Sequence, residues 1–97
     1  MDVTINAKGY PTWTKDPEAV KDYTLDWTDW LAGDEITDST WTVPAGLTKD
    51  SMGNTTKVTS IWLSGGVLGE SYILSNKIRT LGNRTESRSI EIRVRKL

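Results

Sequence analysis

The chain of 97 residues has no cysteine, no histidine and no phenylalanine. Without cysteine it can form no disulfide and has no thiolate nucleophile, and without histidine it lacks both the usual general base and the commonest zinc ligand. We therefore expect no enzyme, no catalytic residue, no metal ligand and no cofactor. The hydrophobic core must use other residues, and five tryptophans supply large apolar areas for it.

Long apolar segments are also missing. No apolar run exceeds three residues, so no segment has the length and hydrophobicity of a membrane span. The chain length suits one domain with one modest core. We expect no membrane partner.

The charges are unevenly distributed along the chain. Residues 1–50 hold ten acidic and four basic residues, a charge of −6, whereas residues 51–97 hold three acidic and eight basic residues, a charge of +5. Two interpretations remain open: solvated faces of opposite sign, or head-to-tail self-association. Nucleic acid is disfavoured as a partner. The basic residues near the C-terminus alternate with Ile and Val, and no aromatic residue lies beside them on which a nucleobase could stack.

Alternating apolar and polar residues predict short strands separated by turns. A single helical turn is expected over 28–33, capped by Thr28 and ended at Gly33. The predicted strands are 22–27, 36–43, 47–50, 57–64, 71–80 and 88–95, with a loop at 51–54. Turn signals recur every 8–12 residues or so, which favours an all-β fold, an immunoglobulin-like antiparallel β-sandwich of about seven strands with one short helical turn.

The N-terminal residues differ from this pattern. The sequence Gly-Tyr-Pro at 9–11 interrupts any strand, so we predict an extended arm over 1–14 and the sandwich domain over 15–97. Trp13 lies in the arm with few sequence neighbours that could bury it. Trp62 is out of phase with the apolar residues on either side of it. Large exposed aromatic residues are typical of interfaces, and we predict an interface that includes Tyr10, Trp13, Trp62, Arg93 and Arg95.

Several carboxylates lie close to tryptophans in the sequence. Their spacing matches no EF-hand loop, which leaves solvated turn residues as the favoured interpretation and a calcium site as the alternative. The group comprises Asp26, Asp29, Asp34, Glu35 and Asp38. Trp beside Asp is also typical of carbohydrate-binding sandwiches, but Trp27, Trp30 and Trp41 occupy core-phase positions.

A tyrosine corner is predicted at the start of one strand. In the sequence Gly69-Glu70-Ser71-Tyr72, the Tyr72 hydroxyl would bond to a nearby backbone group. The alternative is an ordinary half-buried tyrosine. Both interpretations are structural.

Four segments resemble a known protein family. The stretch DYTLDWTDWLAGD at 22–34, with TVPAGL at 42–47 and WLSGG at 62–66, is similar to small virion proteins of tailed bacteriophages, described as fiber-tail adaptor proteins with an Ig-like fold. The ending RTESRSIEIRV at 84–94 also resembles that family, although Asn83 stands where the family has Gly.

The resemblance implies a structural role in the virion. The chain would be an adaptor that docks the tail fiber to the tail, in contact with other virion proteins. The aromatic residues of the predicted interface and the opposite charges of the two halves separately predict a homo-oligomeric ring or cluster. The chain would be made in the host bacterial cytoplasm. A capsid decoration protein and an Ig-like carbohydrate-binding module remain as alternatives.

Overall fold

The computed structural model describes residues 4–5 and 9–96, and in these ranges the chain is almost entirely β-strand and turn. One short helix, α1, interrupts the strands. In chain order the elements are β1 (Thr4–Ile5), β2 (Pro11–Lys15), β3 (Lys21–Asp26), α1 (Thr28–Leu31), β4 (Ile36–Thr42), β5 (Leu47–Asn54), β6 (Val58–Gly65), β7 (Ser71–Thr80) and β8 (Thr85–Val94).

Two sheets pack against each other to form a sandwich. The larger sheet has the strand order β1-β2-β8-β7-β4, and the smaller has the order β3-β6-β5. All strand pairs are antiparallel except β2 and β8, which run parallel with Trp13 opposite Ile92. The predicted all-β, immunoglobulin-like sandwich with one helical turn is confirmed, and the parallel pair is an addition to it.

The core lies between the inward faces of the two sheets. Tyr23, Leu25 and Trp27 alternate inward from β3, as the sequence pattern predicts. Trp41 is also buried, and Trp30 is partly buried against the same cluster. The remaining buried apolar residues are Trp13, Leu31, Ile36, Leu47, Ile61, Leu63, Tyr72, Leu74, Ile78, Ile90, Ile92 and Val94.

The expectation of an extended arm is wrong for residues 11–14. Pro11–Lys15 is a strand that pairs with β8, and Trp13 is only 6% exposed. The physical reason is that the parallel pairing places Trp13 opposite Ile92 and edge-on to Tyr23, with ring centroids 5.9 Å apart. Residues 1–3 and 6–8 of the predicted arm lie outside the described residues, as does Leu97.

The predicted loop at 51–54 is also wrong. These residues continue β5, which pairs with β6 through a register shift between Lys49 and Ser51. The sequence gives no alternation there because β5 is an edge strand exposed on both faces after Leu47, and a bulge shifts its phase.

The helical turn forms where it is expected, but the side chain that accepts hydrogen bonds at its start belongs to Asp26 and not to Thr28. The helix begins at Thr28, and the Asp26 carboxylate accepts hydrogen bonds from the Thr28 hydroxyl at 2.5 Å and the Thr28 backbone N–H at 2.9 Å. These two bonds hold the pKa of Asp26 below its usual value. Ala32 adopts the left-handed conformation at the end of the helix, with φ of 49°.

Candidate functional site

A buried polar network joins the two sheets. The Asn76 side-chain oxygen on β7 accepts hydrogen bonds from the Trp27 indole N–H at 3.1 Å and from the Thr59 hydroxyl at 2.7 Å. The Asn76 amide group donates to the Ser39 hydroxyl and the Thr40 carbonyl. Every polar atom of the Asn76 side chain therefore has a partner, and the network fixes how the sheets face each other.

An ion pair closes one end of the sandwich. Arg84, in the turn between β7 and β8, donates to the Asp34 carboxylate at 3.1 Å and to the Leu31 carbonyl at 2.7 Å. Its guanidinium lies 4.2 Å from the centre of the Trp30 ring. Hydrogen bonds from the Thr80 hydroxyl, then from the Glu35 and Gly82 N–H groups and Arg84, lower the pKa of Asp34 to about 2.

This cluster explains two motifs that are distant in the sequence. The DWLAGD segment contributes Trp30 and Asp34, and the segment beginning at Arg84 contributes the guanidinium that binds both. Sequence reasoning did not pair them, because their separation of 50 residues leaves no local signal. Asn83 has a φ of 61°, so the turn needs a residue that tolerates the left-handed region.

The opposite end of the sandwich is fixed by the predicted tyrosine corner. The Tyr72 hydroxyl accepts a hydrogen bond from the Val67 N–H at 3.0 Å, which confirms that prediction. The Tyr72 ring also lies so close to Gly46 that a Cβ there would come within 2.7 Å of it. Gly46 has a φ of 107°, so both the close approach and the backbone conformation require glycine.

The residues of the predicted interface do not form one patch. Trp13 is buried, Tyr10 is partly buried, and Trp62 is 43% exposed. Arg93 is half-buried on the outer face of the larger sheet, where it forms an ion pair of 2.7 Å with Glu91. Arg95 is exposed just beyond β8. Trp62 and Arg93 therefore lie on outer faces of different sheets.

Trp62 is the central side chain of the outer face of the smaller sheet. It lies on β6, the middle strand, with Asp22 opposite it on β3 and Ser51 opposite it on β5. The other side chains of this face are short or acidic and include Thr24, Thr48, Asp50, Ser60 and Ser64. An aromatic ring surrounded by small polar groups is accessible to a flat partner surface.

No other tryptophan is as exposed as Trp62, and all five lie in the described ranges. The row of exposed tryptophans that a carbohydrate-binding face would need is therefore not present. Within residues 4–5 and 9–96, no three acidic side chains are grouped so that they could hold a metal ion. The carboxylates Asp26 and Asp34 instead serve as hydrogen-bond acceptors for the backbone around α1.

A lateral groove of about 480 Å³ opens between the two sheets. Its walls include Leu25 from β3, Tyr10 and Pro11 from the start of β2, and residues 87–89 of β8. The Arg88 guanidinium lies 4.2 Å from the centre of the Trp27 ring and donates weakly to the Asp26 carbonyl at 3.5 Å. Among the described residues, no helix is long and apolar enough to cross a membrane.

Comparison with known families gives a match over residues 15–93 to the podophage GP4 fiber-tail adaptor protein gp77. The match begins at the last residue of β2 and ends one residue before the end of β8, so it includes β3 to β7, α1 and nearly all of β8. The chain belongs to this fiber-tail adaptor family. No curated protein matches the sequence.

A solved structure supports the fold independently. The solution structure of the PKD domain from KIAA 1837 protein is similar to this chain with a TM-score of 0.52 and 17% sequence identity. The similarity covers 88% of this chain and 78% of the PKD chain. At this identity the likeness establishes the immunoglobulin-like fold alone, and the adaptor family membership rests on the family match.

Proposed function

We propose that the chain is a structural protein of the phage virion that joins the tail fiber to the tail through protein–protein contacts. The observation that carries the proposal is the family match over residues 15–93, which includes both halves of the Asp34–Arg84 cluster. Two ends fixed by specific contacts and a core joined by the Asn76 network make a rigid body. Rigid surfaces bind partners with little loss of conformational entropy.

The first contact surface is the outer face of the smaller sheet around Trp62. Its central tryptophan can be desolvated by a partner while the surrounding Ser and Thr hydroxyls form hydrogen bonds. Aromatic residues at the centre of a polar rim contribute most of the binding energy in many interfaces. The acidic side chains Asp22 and Asp50 on this face favour a basic partner surface.

The second contact surface is basic. Arg93 and Arg95 lie at the C-terminal end of β8, and Tyr10 lies beside the lateral groove. We propose these three residues as contacts, whereas Trp13 acts indirectly by holding β2 in the sheet. A chain with acidic residues on the face of one sheet and basic residues at the end of β8 in the other suits head-to-tail contacts between copies, which can close into a ring.

The proposal includes no catalysis and no role for a metal or cofactor. Two of the carboxylates around α1, Asp26 and Asp34, are occupied as acceptors, and hydrogen bonds lower the pKa of each. Lowered values keep both groups ionised at neutral pH, which suits an acceptor and not a general acid. Panels of glycan and peptide substrates should show no turnover above buffer.

Incorporation into particles tests the adaptor role. Trp62→Ala should reduce the amount of this protein in purified virions, measured by quantitative mass spectrometry, with a thermal transition close to that of the wild type. Ile73→Ala is a matched control, because Ile73 is 42% exposed on the outer face of the other sheet. Normal incorporation of the Trp62 variant, or equal losses for both variants, would contradict the proposed surface.

A further inference from the structure

Half of strand β8 has an unpaired edge. On one side β8 pairs with β7 along most of its length, whereas on the other side β2 covers only residues 91–94. Residues 85–90 therefore have no neighbouring strand on that side in the part of the chain that the structure describes. An unpaired strand edge is a template for another extended segment.

The backbone groups of this edge point outward. Thr80 N–H donates to the Arg84 carbonyl, and Val94 N–H donates to the Glu70 carbonyl. The backbone N–H and C=O groups of the even-numbered residues of β8 therefore point toward β7. Because antiparallel hydrogen bonds alternate, the N–H and C=O groups of Ser87 and Ser89 face the free edge. Ser87 N–H donates to the Glu86 carboxylate at 3.0 Å, which stands where the carbonyl of a partner strand would lie.

A second unpaired edge is formed by β5. This strand of eight residues is the last of the smaller sheet, and its residues after Leu47 are all exposed. Thr55 N–H donates to the Val58 carbonyl, and by the same alternation Met52 and Asn54 direct their backbone groups away from β6. Each edge thus has two residues, separated by one other residue, whose backbone N–H and C=O groups point away from the sheet.

We propose that β5 of one copy pairs antiparallel with residues 85–90 of β8 in a second copy, with Met52 opposite Ser89 and Asn54 opposite Ser87. The proposal rests on the homo-oligomer of the proposed function and names its contact. The occupant of the lateral groove is then the β5 strand of the neighbouring copy. Since every copy carries both edges, the contact is head-to-tail and can close into a ring.

The two edges have complementary shapes. In this register Gly53 lies opposite Arg88, and the lack of a side chain at Gly53 leaves room for the guanidinium stacked on Trp27. The register shift between Lys49 and Ser51 would bend β5 away at the point where it meets Pro11, at the start of β2.

Cross-linking between two single-cysteine variants tests the pairing, because the natural chain has no cysteine. A mixture of Asn54→Cys and Ser87→Cys should give dimers with a short bis-maleimide several times faster than either variant alone. A mixture of Thr24→Cys and Ser87→Cys is the control, since Thr24 is exposed on β3 outside the proposed contact. Equal yields for the two mixtures, or a wild-type chain that stays monomeric at millimolar concentration, would overturn the proposal.

A proline variant tests the hydrogen bonds themselves. Ser87→Pro removes an N–H that faces the free edge and leaves the hydrogen bonds between β8 and β7 intact, so the variant should fold. For this test the two cysteines are Asn54→Cys in one copy and Ser89→Cys in the other. The proline variant should lose the cross-link between them. Ser87→Ala keeps the N–H and should cross-link normally. Full cross-linking of the folded proline variant would overturn the pairing. The adaptor role is measured separately, by the incorporation of Trp62→Ala into particles, so either result can fail without the other.

Discussion

At the scale of single residues, two buried tyrosines differ in one hydrogen bond. The Tyr72 hydroxyl has the Val67 N–H as a partner, whereas the buried Tyr23 hydroxyl has none. Tyr72→Phe should lower the free energy of unfolding by about 1 kcal/mol, the usual net value of one hydrogen bond. Tyr23→Phe should leave it unchanged or raise it, because a buried hydroxyl without a partner is costly. Urea denaturation measures both.

Ionisation gives a second readout for Tyr23. Burial, with a contribution from Asp22, raises the pKa of Tyr23 to about 12 from its usual 10.0. The unfolded chain therefore loses its Tyr23 proton first as the pH rises above 10, and ionisation of Tyr23 lowers the free energy of unfolding between about pH 10 and 12. Equal stability of the two Phe variants would contradict the assignment of partners.

Two buried tryptophans form a similar pair. The Trp27 indole N–H donates to Asn76, whereas the buried Trp41 N–H has no partner. Trp27→Phe should cost about 1–2 kcal/mol more than Trp41→Phe, because it also removes a donor from the Asn76 network. Trp41→Ala should cost about 3–5 kcal/mol, since it empties a large buried site. A cost below about 1 kcal/mol for Trp41→Ala would contradict its place in the core.

At the scale of elements, the Asp34–Arg84 cluster ties α1 to the β7–β8 turn and should make the fold sensitive to acid. The folded-state pKa of Asp34 is about 2, below the usual 3.8. A lowered pKa contributes stability that is complete above the unfolded value and is lost as the pH falls through the folded value. Stability should therefore fall between about pH 4 and 2 in the wild type.

Replacement of the carboxylate tests this dependence. Asp34→Asn should lower stability at neutral pH and flatten its decrease between pH 4 and 2, measured by chemical denaturation at a series of pH values. Asp29→Asn, on the exposed side of α1, is the control and should leave the decrease in place. Parallel curves for wild type and Asp34→Asn would show that the acid sensitivity arises elsewhere.

Elements with one buried face could be predicted from the sequence. The β7 strand has the predicted bounds 71–80, and β3 has the predicted inward residues, because apolar residues recur at alternate positions, with Asn76 as a polar exception in the middle of β7. Only residues 47–50 of β5 were predicted, and its second half could not be, because an edge strand with a bulge buries only Leu47. The β2 strand was missed because what buries Trp13 is a parallel partner almost eighty residues later in the chain.

The candidate site divides in the same way. Exposure of Trp62 follows from its phase on β6 and could be predicted, whereas the lateral groove depends on where β2 stops along β8. Arg88 lines that groove and was not among the predicted site residues, because stacking on Trp27 is a contact between sheets. Local patterns identify which side chains point outward, but only the topology shows which strand edges remain unpaired.

At the scale of the whole molecule, the N-terminal strand decides whether the sandwich closes. Trp13 contributes a large aromatic ring to the core, and Lys15 donates from its buried ammonium to the Gly65 carbonyl at 2.7 Å and the Asp16 carbonyl at 2.9 Å. Burial lowers the pKa of Lys15, but the bond to Gly65 runs from β2 to β6 and so connects the two sheets, whereas the bond to Asp16 is local. Removal of β2 would expose this end of the core and the edge of β8.

Deletion of residues 1–14 should therefore destabilise the domain strongly, since it removes Trp13 together with the hydrogen bonds between β2 and β8. Trp13→Ala alone should cost about 3–5 kcal/mol, as expected for emptying a buried tryptophan site. A deletion of residues 1–8 that keeps Pro11–Lys15 is the matched control and should cost much less. Thermal and urea unfolding measure all three variants. If the 1–14 deletion unfolded at the wild-type midpoint, β2 would be dispensable and residues 11–14 would act as an arm after all.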